Sequence, residues 1–197
     1  MKRIPFFGTA AIIMLVLSVT MKAQEKSSKD SQPVTVSHVD LNRYIGTWYE
    51  IAKIPNFFQK KCFRNTTATY LFNSDGTIEV VNRCIEKDGK EDVAEGIAKV
   101  VDTSTNAKLK VSFVSIFGIH LFWGDYWIIG LDKDYRYAIV GDPSRKYGWI
   151  LSRAPVLSAE ERAEVNEILV RQGYNPSDFV PTQQSQQDSS ATQSKVR

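Results

Sequence analysis

The chain has 197 residues, of which 43% are hydrophobic and 24% are charged, a composition typical of one globular domain with short tails. Its formal charge of +3 comes from Lys2, Arg3 and Lys22, which precede the first acidic residue and leave the rest of the chain with equal numbers of basic and acidic side chains. Since no dense basic block remains, this pattern excludes a sequence-independent nucleic-acid binder, and we expect no nucleic-acid partner.

The first 23 residues have the pattern of an export signal. A positive start is followed by an apolar run at residues 10–19, which is too short to span a bilayer. Ala23 offers a small residue for cleavage. We therefore predict a signal peptide over residues 1–23 and an exported mature protein that is periplasmic or secreted, with an uncleaved anchor as the alternative. No Cys follows the apolar run, so we expect no lipoprotein anchor.

Polar tails flank the predicted domain. Residues 24–36 predict a flexible leader, and residues 182–197, rich in Gln and Ser, predict a disordered tail. The domain between them, residues 37–181, contains eight strand-like runs separated by turn residues, which indicates an up-and-down antiparallel arrangement. The runs are residues 47–54, 66–72, 77–85, 93–101, 108–114, 126–131, 135–140 and 148–152.

The two cysteines, Cys62 and Cys84, are an even number in an exported chain and do not form a C-x-x-C pair. Pairing of the second and third strands across the turn at residues 73–76 brings Cys84 opposite a residue three positions from Cys62. We therefore predict a disulfide between them. The alternative is a reactive thiol activated by the basic residues at positions 60–64.

One helix follows the strands. Ser158 and Glu161 form a capping box, Gly173 provides a C-terminal stop, and the apolar stripe between them is narrow. Such a helix packs against the outside of a sheet. The predicted fold is all-β: an eight-stranded up-and-down antiparallel β-barrel with one C-terminal α-helix packed outside. A barrel of eight strands has room for one small ligand.

The loops after the first, third, fifth and seventh strands lie at one end of this barrel, and we expect a ligand to enter there. Most of residues 115–124 in the fifth loop are apolar or aromatic. Such a patch marks a docking surface, which predicts peripheral membrane contact, unless the side chains fold inward and cap the barrel. The side chains of this mouth are Phe57, Phe58, Phe117, Leu121, Phe122 and Trp123.

Three short motifs resemble those of the lipocalin family in order and spacing. Gly46-Thr47-Trp48-Tyr49 is similar to the G-x-W-Y motif of the first lipocalin strand, Asp134-Tyr135 stands where the second motif lies, and Arg153 matches the Arg that ends the eighth strand. The resemblance is greatest to bacterial Blc-type, plant temperature-induced and apolipoprotein-D-like lipocalins. It implies structural roles, with Trp48 closing the bottom of the barrel and Arg153 across it, for Gly46, Trp48, Tyr49, Asp134, Tyr135 and Arg153.

The resemblance also implies binding and carriage of a hydrophobic small molecule, a fatty acid or lysophospholipid, in membrane-lipid maintenance or the stress response. It adds the outer membrane to the expected locations. Strand alternation suggests cavity-lining side chains, each with plain core or outer-face packing as the alternative: Tyr70, Phe72, Phe113, Trp127, Trp149 and Leu151. Three cations at the rim are expected to meet a head group or to form a solvated charge cluster: Lys60, Lys61 and Arg64.

A lipid-modifying enzyme on the same barrel is the alternative function. Glu50 is a carboxylate on the face of the first strand that carries Trp48, and His38 and His120 are the only histidines. No Ser-His-Asp set, metal-ligand cluster or phosphate-binding loop stands out in the sequence. We therefore predict a binding protein with no cofactor and no metal, not an enzyme. A scavenger of damaged lipids would use the same pocket as a carrier.

Overall fold

The computed structural model describes residues 31–185. The predicted signal peptide and residues 186–197 of the predicted tail lie outside the described residues. The elements are α1 (Leu41–Tyr44), β1 (Gly46–Lys53), β2 (Arg64–Phe72), β3 (Ile78–Ile85), β4 (Glu91–Val100), β5 (Lys108–Ser112), β6 (Val114–Ile116), β7 (Ile119–Leu121), β8 (Gly124–Leu131), β9 (Tyr137–Gly141), β10 (Gly148–Ser152), α2 (Ala159–Arg171), a 3-10 helix (Pro176–Asp178) and β11 (Val180–Pro181). They all belong to one compact unit that begins at Pro33. In the described part of the chain, the helices are too short or too polar to cross a membrane.

Eight antiparallel strands close into a barrel, which confirms the predicted fold. The pairing follows the chain from β1 to β5, continues through β8, β9 and β10, and returns from β10 to β1. The closing pair places Tyr49 opposite Ser152 and Lys53 opposite Trp149. At the far end of β2, the carboxylate of Asp75 accepts hydrogen bonds from the backbone and the hydroxyl of Thr77, a local turn that starts β3.

The predicted fifth loop contains a separate two-stranded sheet made of β6 and β7. Phe117 and Gly118 both have positive φ, at 49° and 80°, which suits the two-residue turn of a hairpin. The fifth barrel strand ends at Ser112, two residues before the predicted end. The reason is local: the Ser112 hydroxyl donates to the carbonyl of Leu121 at 2.5 Å and ties the base of the hairpin.

Two apolar clusters share the barrel wall. The interior cluster includes Trp48, Ile128 and Val140, all fully buried. The outer cluster lies between the sheet and α2, which contributes Val165 and Leu169. The helix begins at its predicted capping box and so presents these residues to the sheet. The strands beneath α2 therefore bury apolar side chains on both faces.

The predicted disulfide is confirmed. Cys62, in the loop between β1 and β2, is bonded to Cys84 on β3, and their Cα atoms are 5.4 Å apart. The bond occupies both thiols, so the alternative of a reactive thiol is wrong. It ties the first mouth loop to the sheet, and a loop of this size adds about 3 kcal/mol to stability on the chain-entropy model.

Residues at both ends of the predicted domain are bonded to the barrel. The backbone of Val36, from the predicted leader, donates to the carbonyl of Ile128 at 2.9 Å. At the other end, the closing segment, residues 180–185, runs between the end of β1 and the start of β2. There Asn65 N–H donates to the carbonyl of Gln183. The predicted disordered tail therefore does not begin at residue 182, because polar residues there satisfy backbone groups of the two diverging strands.

A chain that stops after Pro181 is expected to melt below one that stops after Ser185. The longer chain keeps the side-chain hydrogen bonds of Thr182 and Gln184 to β1 and β2 and those of Ser185 to Asn65. Their loss is expected to cost about 2 kcal/mol in total, since each is worth about 0.5–1.5 kcal/mol and some are exposed. Thermal unfolding of both proteins measures the difference, and equal melting temperatures would contradict a stabilising role for the segment.

Candidate ligand-binding site

The floor of the barrel is made by Trp48 and Arg153. Trp48 is fully buried, and its indole N–H donates to the carbonyl of Tyr44 at 2.8 Å. The guanidinium carbon of Arg153 lies 3.8 Å from the Trp48 ring centroid. Its N–H groups donate to the carbonyls of Arg43, Tyr44 and Ile45 in the entering segment, residues 40–45 before β1, and to that of Thr47 in β1. The floor is therefore closed by one stacked pair held to the backbone.

Two of the remaining motif residues support this floor. Gly46 has φ +92°, a backbone conformation that residues with a side chain rarely adopt, so the position favours glycine. The Tyr135 hydroxyl accepts from the backbone of Asp40 at 2.8 Å, and Arg43 lies over the Tyr135 ring. Asp134 is exposed in the turn before β9, and Tyr49 packs at the edge of the outer cluster. Gly46 and Tyr135 therefore support the closed end of the barrel, whereas the side chains of Asp134 and Tyr49 face solvent and the outer cluster, respectively.

A narrow apolar cavity lies inside the barrel next to the floor. Its volume is about 10 Å³, which is room for roughly one water molecule, so an acyl chain enters only when side chains of the wall move apart. Seven aliphatic side chains and three tyrosines line it: Leu41, Tyr44, Ile45, Tyr70, Ile78, Val80, Ala98, Leu109, Val111 and Tyr126. Such a wall suits a hydrocarbon chain.

The three tyrosines of the wall form a chain of hydroxyl groups. The Tyr126 hydroxyl lies 2.8 Å from that of Tyr44 and 2.8 Å from that of Tyr70. Burial raises the pKa of Tyr70 to about 12 and the pKa values of Tyr44 and Tyr126 well above the ordinary value. All three phenols are therefore neutral hydrogen-bonding groups at physiological pH.

A buried polar network centred on Glu50 lies further along β1, towards the mouth. The Glu50 carboxylate accepts from Lys53 Nζ at 2.6 Å, from Gln59 Nε2 at 2.8 Å and from Thr182 Oγ1 at 2.6 Å. The side chains of Glu50 and Lys53 are only 3% and 14% exposed. The network joins β1 to the first mouth loop and to the closing segment, so it fixes one side of the entrance.

Aromatic rings cover this network on the mouth side. Trp149 donates its indole N–H to Gln59 Oε1 at 3.0 Å, which fixes the ring over the network. Tyr147 stacks on Trp149, with ring centroids 6.2 Å apart, and Phe58 packs against both rings. One wall of the mouth is thus an aromatic surface built from the first and seventh loops and β10.

The structure divides the six predicted lining residues. Tyr70 lines the cavity, Leu151 belongs to the interior cluster, and Trp149 packs against that cluster. The Phe113 ring lies against Gly96, on the face of β4 that also carries the interior residue Ala98, and is partly exposed.

The other two predicted lining residues lie elsewhere. Trp127 belongs to the outer cluster, with Lys108 over its ring at 4.3 Å, and Phe72 is 46% exposed at the end of β2. The physical cause for Trp127 is α2, which makes the outer face of β8 apolar too, so alternation does not identify the inner face. Phe72 shares the face of Tyr70 but is the last residue of β2, where the strand ends in solvent. Tyr126, which the sequence analysis missed, follows from alternation only once Ile128 is known to point inward. Tyr44 was missed because it lies on α1, outside the predicted strands.

The three predicted rim cations lie at the mouth. Lys60 and Lys61 are exposed in the loop that carries Cys62, and Arg64 is half-buried at the start of β2. They flank the aromatic wall formed by Phe58, Tyr147 and Trp149.

The mouth hairpin, β6 and β7 with the residues up to Trp123, has an exposed and a half-buried set of side chains. Phe117 is 102% exposed and Phe122 is 83% exposed. Phe57 and Phe58 of the first loop are also exposed, at 70% and 53%. Leu121 and Trp123 are half-buried, and the Trp123 ring lies under Lys99 at 4.2 Å. The Trp123 contact does not indicate inward capping, because Lys99 is exposed on the face of β4 opposite the interior residue Ala98. Docking through this loop stays a prediction.

Comparison with known proteins agrees with this architecture. A family model described as a lipocalin-like domain matches residues 39–184. The chain is 36% identical to the outer membrane lipoprotein Blc of Escherichia coli K12, over 93% of this chain and 98% of that protein. It is 42% identical to temperature-induced lipocalin-1 of Arabidopsis thaliana, over 76% of this chain and 82% of that protein.

Among solved structures, insecticyanin from the tobacco hornworm Manduca sexta superposes with a TM-score of 0.63 at 24% identity, covering 80% of this chain and 86% of that one. This likeness concerns the fold alone. Together with the closed eight-stranded barrel and the motif residues at its floor, the family match and the two relatives show that the chain belongs to the lipocalin family, whose members bind small hydrophobic ligands.

Proposed function

We propose that this protein binds one acyl lipid, a fatty acid or a lysophospholipid, with the acyl chain inside the barrel, and carries it. The observation that carries the proposal is the narrow cavity with its aliphatic wall next to a closed floor. Each buried methylene contributes about 0.8 kcal/mol before the costs of association are subtracted, so a linear chain supplies enough free energy without elaborate polar contacts.

The head group of such a lipid belongs at the mouth. Lys60 and Lys61 are exposed there and Arg64 is half-buried, so a carboxylate or phosphate meets positive charge while it stays hydrated. The aromatic wall around Trp149 lies between this charge and the interior. The arrangement supports entry of the lipid with its chain first.

The contacts of Glu50 support a binding protein over an enzyme. Three donors, from Lys53, Gln59 and Thr182, occupy its carboxylate, and its side chain is 3% exposed. A catalytic acid or base needs access to the substrate and to a proton. Glu50 therefore serves the packing of the mouth in this proposal.

Export is part of the proposal. The Cys62–Cys84 disulfide suits an oxidising compartment, and one relative is by name an outer membrane lipoprotein. A periplasmic or secreted carrier that reaches the outer membrane would serve the maintenance of membrane lipids.

The mouth is also the proposed surface that docks on lipid. Phe117 and Phe122 present almost fully exposed rings, and Lys60 and Lys61 lie at the same end of the barrel. Aromatic rings favour the membrane interface and lysines favour anionic head groups. A carrier that docks mouth-first exchanges its ligand without exposing the acyl chain to water.

The variant Phe117→Ser/Phe122→Ser is expected to bind vesicles of mixed phosphatidylcholine and phosphatidylglycerol at least about tenfold more weakly than wild type, because two rings no longer reach the interface. Its affinity for a free fatty acid in solution should stay unchanged. Co-sedimentation and fluorescence displacement measure the two quantities.

The matched control is Leu71→Ser/Val101→Ser, which removes two side chains of 46% and 48% exposure at the opposite end of the barrel. This control should sediment with the vesicles as wild type does. Equal sedimentation of all three proteins would contradict docking through the mouth, and failure of wild type to bind any acyl lipid in solution would contradict the carrier function.

A further inference from the structure

Three phenols that line the cavity, two of them buried and that of Tyr126 partly buried, carry more hydrogen-bond donors than they use among themselves. The hydroxyl of Tyr126 contacts those of Tyr44 and Tyr70, each at 2.8 Å. Two contacts take up two hydrogens, whereas three hydroxyl groups carry three. Over residues 31–185, these hydroxyls make no other hydrogen bond. One O–H hydrogen of the group therefore has no acceptor from the described protein.

The surroundings of these hydroxyls do not supply that acceptor. The rest of the cavity wall is aliphatic, with Leu41 and Ile45 from the entering segment and Val80, Ala98 and Leu109 from the strands. A buried donor without an acceptor is destabilising. A ligand atom that accepts from it removes this penalty and gains a hydrogen bond in an environment of low polarity.

We propose that this tyrosine triad, Tyr44, Tyr70 and Tyr126, donates a hydrogen bond to a neutral oxygen atom carried on the buried part of the ligand. The inference rests on the proposed function, because it concerns an oxygen atom on the acyl chain that is proposed to occupy the same cavity. The ligand class is an acyl lipid whose chain bears a hydroxyl or carbonyl oxygen and whose head group stays at the mouth.

Charge and burial favour a neutral oxygen over a carboxylate at the triad. The neighbouring cation, Arg153, already donates to four backbone carbonyls of the floor. The cations at the mouth, Lys60 and Lys61, are exposed at the other end of the barrel. A fatty acid that enters carboxyl first would instead place its carboxyl oxygen at the triad. The experiment distinguishes this carboxyl oxygen from an oxygen on the chain.

The test compares wild type with the variant Tyr44→Phe/Tyr70→Phe/Tyr126→Phe. Removing all three hydroxyls leaves no orphaned partner, so the barrel is expected to fold, which a melting curve verifies. Tyr49→Phe, at the edge of the outer cluster, is the matched control. The probes are hexadecanoic acid and its isomers hydroxylated in the middle or at the far end of the chain, measured by displacement of a fluorescent fatty acid.

For each protein the measured quantity is the affinity for a hydroxylated isomer divided by the affinity for hexadecanoic acid. For at least one isomer this ratio is expected to be about tenfold larger in wild type and in the control than in the triple variant. Weaker binding of hexadecanoic acid itself by the triple variant, with no gain from the hydroxyl groups in wild type, would mean that the triad binds the carboxyl group, and it overturns the assignment of a neutral oxygen on the chain. Equal affinities of both proteins for every probe overturn the inference and leave acyl binding intact. If wild type binds no probe, the proposed function fails together with the inference.

A measurement on the unchanged protein serves as the second test. An oxohexadecanoic acid with its ketone at the position of the preferred hydroxyl is bound to wild type, and the ketone stretch is recorded by infrared spectroscopy. A hydrogen bond from the triad lowers this frequency relative to the same compound in hexane. A frequency equal to that in hexane overturns the inference, whether or not the triple variant folds.

Discussion

Arg153→Met is expected to lower the free energy of unfolding by about 3 kcal/mol, since hydrogen bonds to a charged group are worth about 1.5–3 kcal/mol each and several are lost together. The guanidinium donates to the carbonyls of Thr47, Tyr44 and Ile45 at 2.8, 3.0 and 2.8 Å. It also stacks on Trp48. Methionine retains much of the side-chain volume but removes the guanidinium from these carbonyls, of which, within residues 31–185, only that of Tyr44 keeps another side-chain donor, the Trp48 indole N–H. Denaturant unfolding followed by tryptophan fluorescence measures the change.

The control for this prediction is Arg83→Met. Arg83 pairs with Glu91 at 3.4 Å on the surface, and both side chains are about half exposed. Such pairs contribute about 0–1 kcal/mol. A loss for Arg153→Met no larger than the loss for Arg83→Met would show that the floor does not depend on the guanidinium.

Lys53→Met is expected to destabilise the protein by about 3–5 kcal/mol, because it leaves a buried charge without its partner. Lys53 Nζ lies 2.6 Å from the Glu50 carboxylate, and the two side chains are 14% and 3% exposed. The double variant Glu50→Gln/Lys53→Met removes both charges and should recover a large part of the loss. Chemical unfolding of the single and double variants measures both steps.

Lys110→Met is the matched control. Lys110 pairs with Asp125 at 3.0 Å, but both side chains are more than one third exposed, so the expected loss is below about 1 kcal/mol. If the double variant at Glu50 and Lys53 is as unstable as Lys53→Met alone, the destabilisation does not come from an unpaired buried carboxylate.

Much of the fold could be predicted from short local signals. Turn residues such as Asp75 separate the strands, the Ser158–Glu161 capping box starts the helix, and the motif residues Trp48 and Arg153 identify the closed end. These signals depend on neighbours in the sequence or on a few fixed positions. The Cys62–Cys84 disulfide followed in the same way from the register of one hairpin.

The candidate site was harder to predict because it depends on contacts between distant parts of the chain. Trp127 was assigned to the cavity although it packs outside, since the outer face of β8 is covered by α2 and is apolar as well. The Glu50 network needs Thr182, which is 132 positions away in a segment that looks like a polar tail. The tyrosine triad likewise joins residues from α1, β2 and β8.

The central claim is that the barrel carries an acyl lipid. Native mass spectrometry of protein purified without detergent, followed by lipid extraction, tests it most directly. We predict a folded protein whose mass exceeds that of the chain by one fatty acid or lysophospholipid, which extraction releases. A folded protein with the mass of the chain alone, which also takes up no acyl lipid added in excess, would contradict the claim.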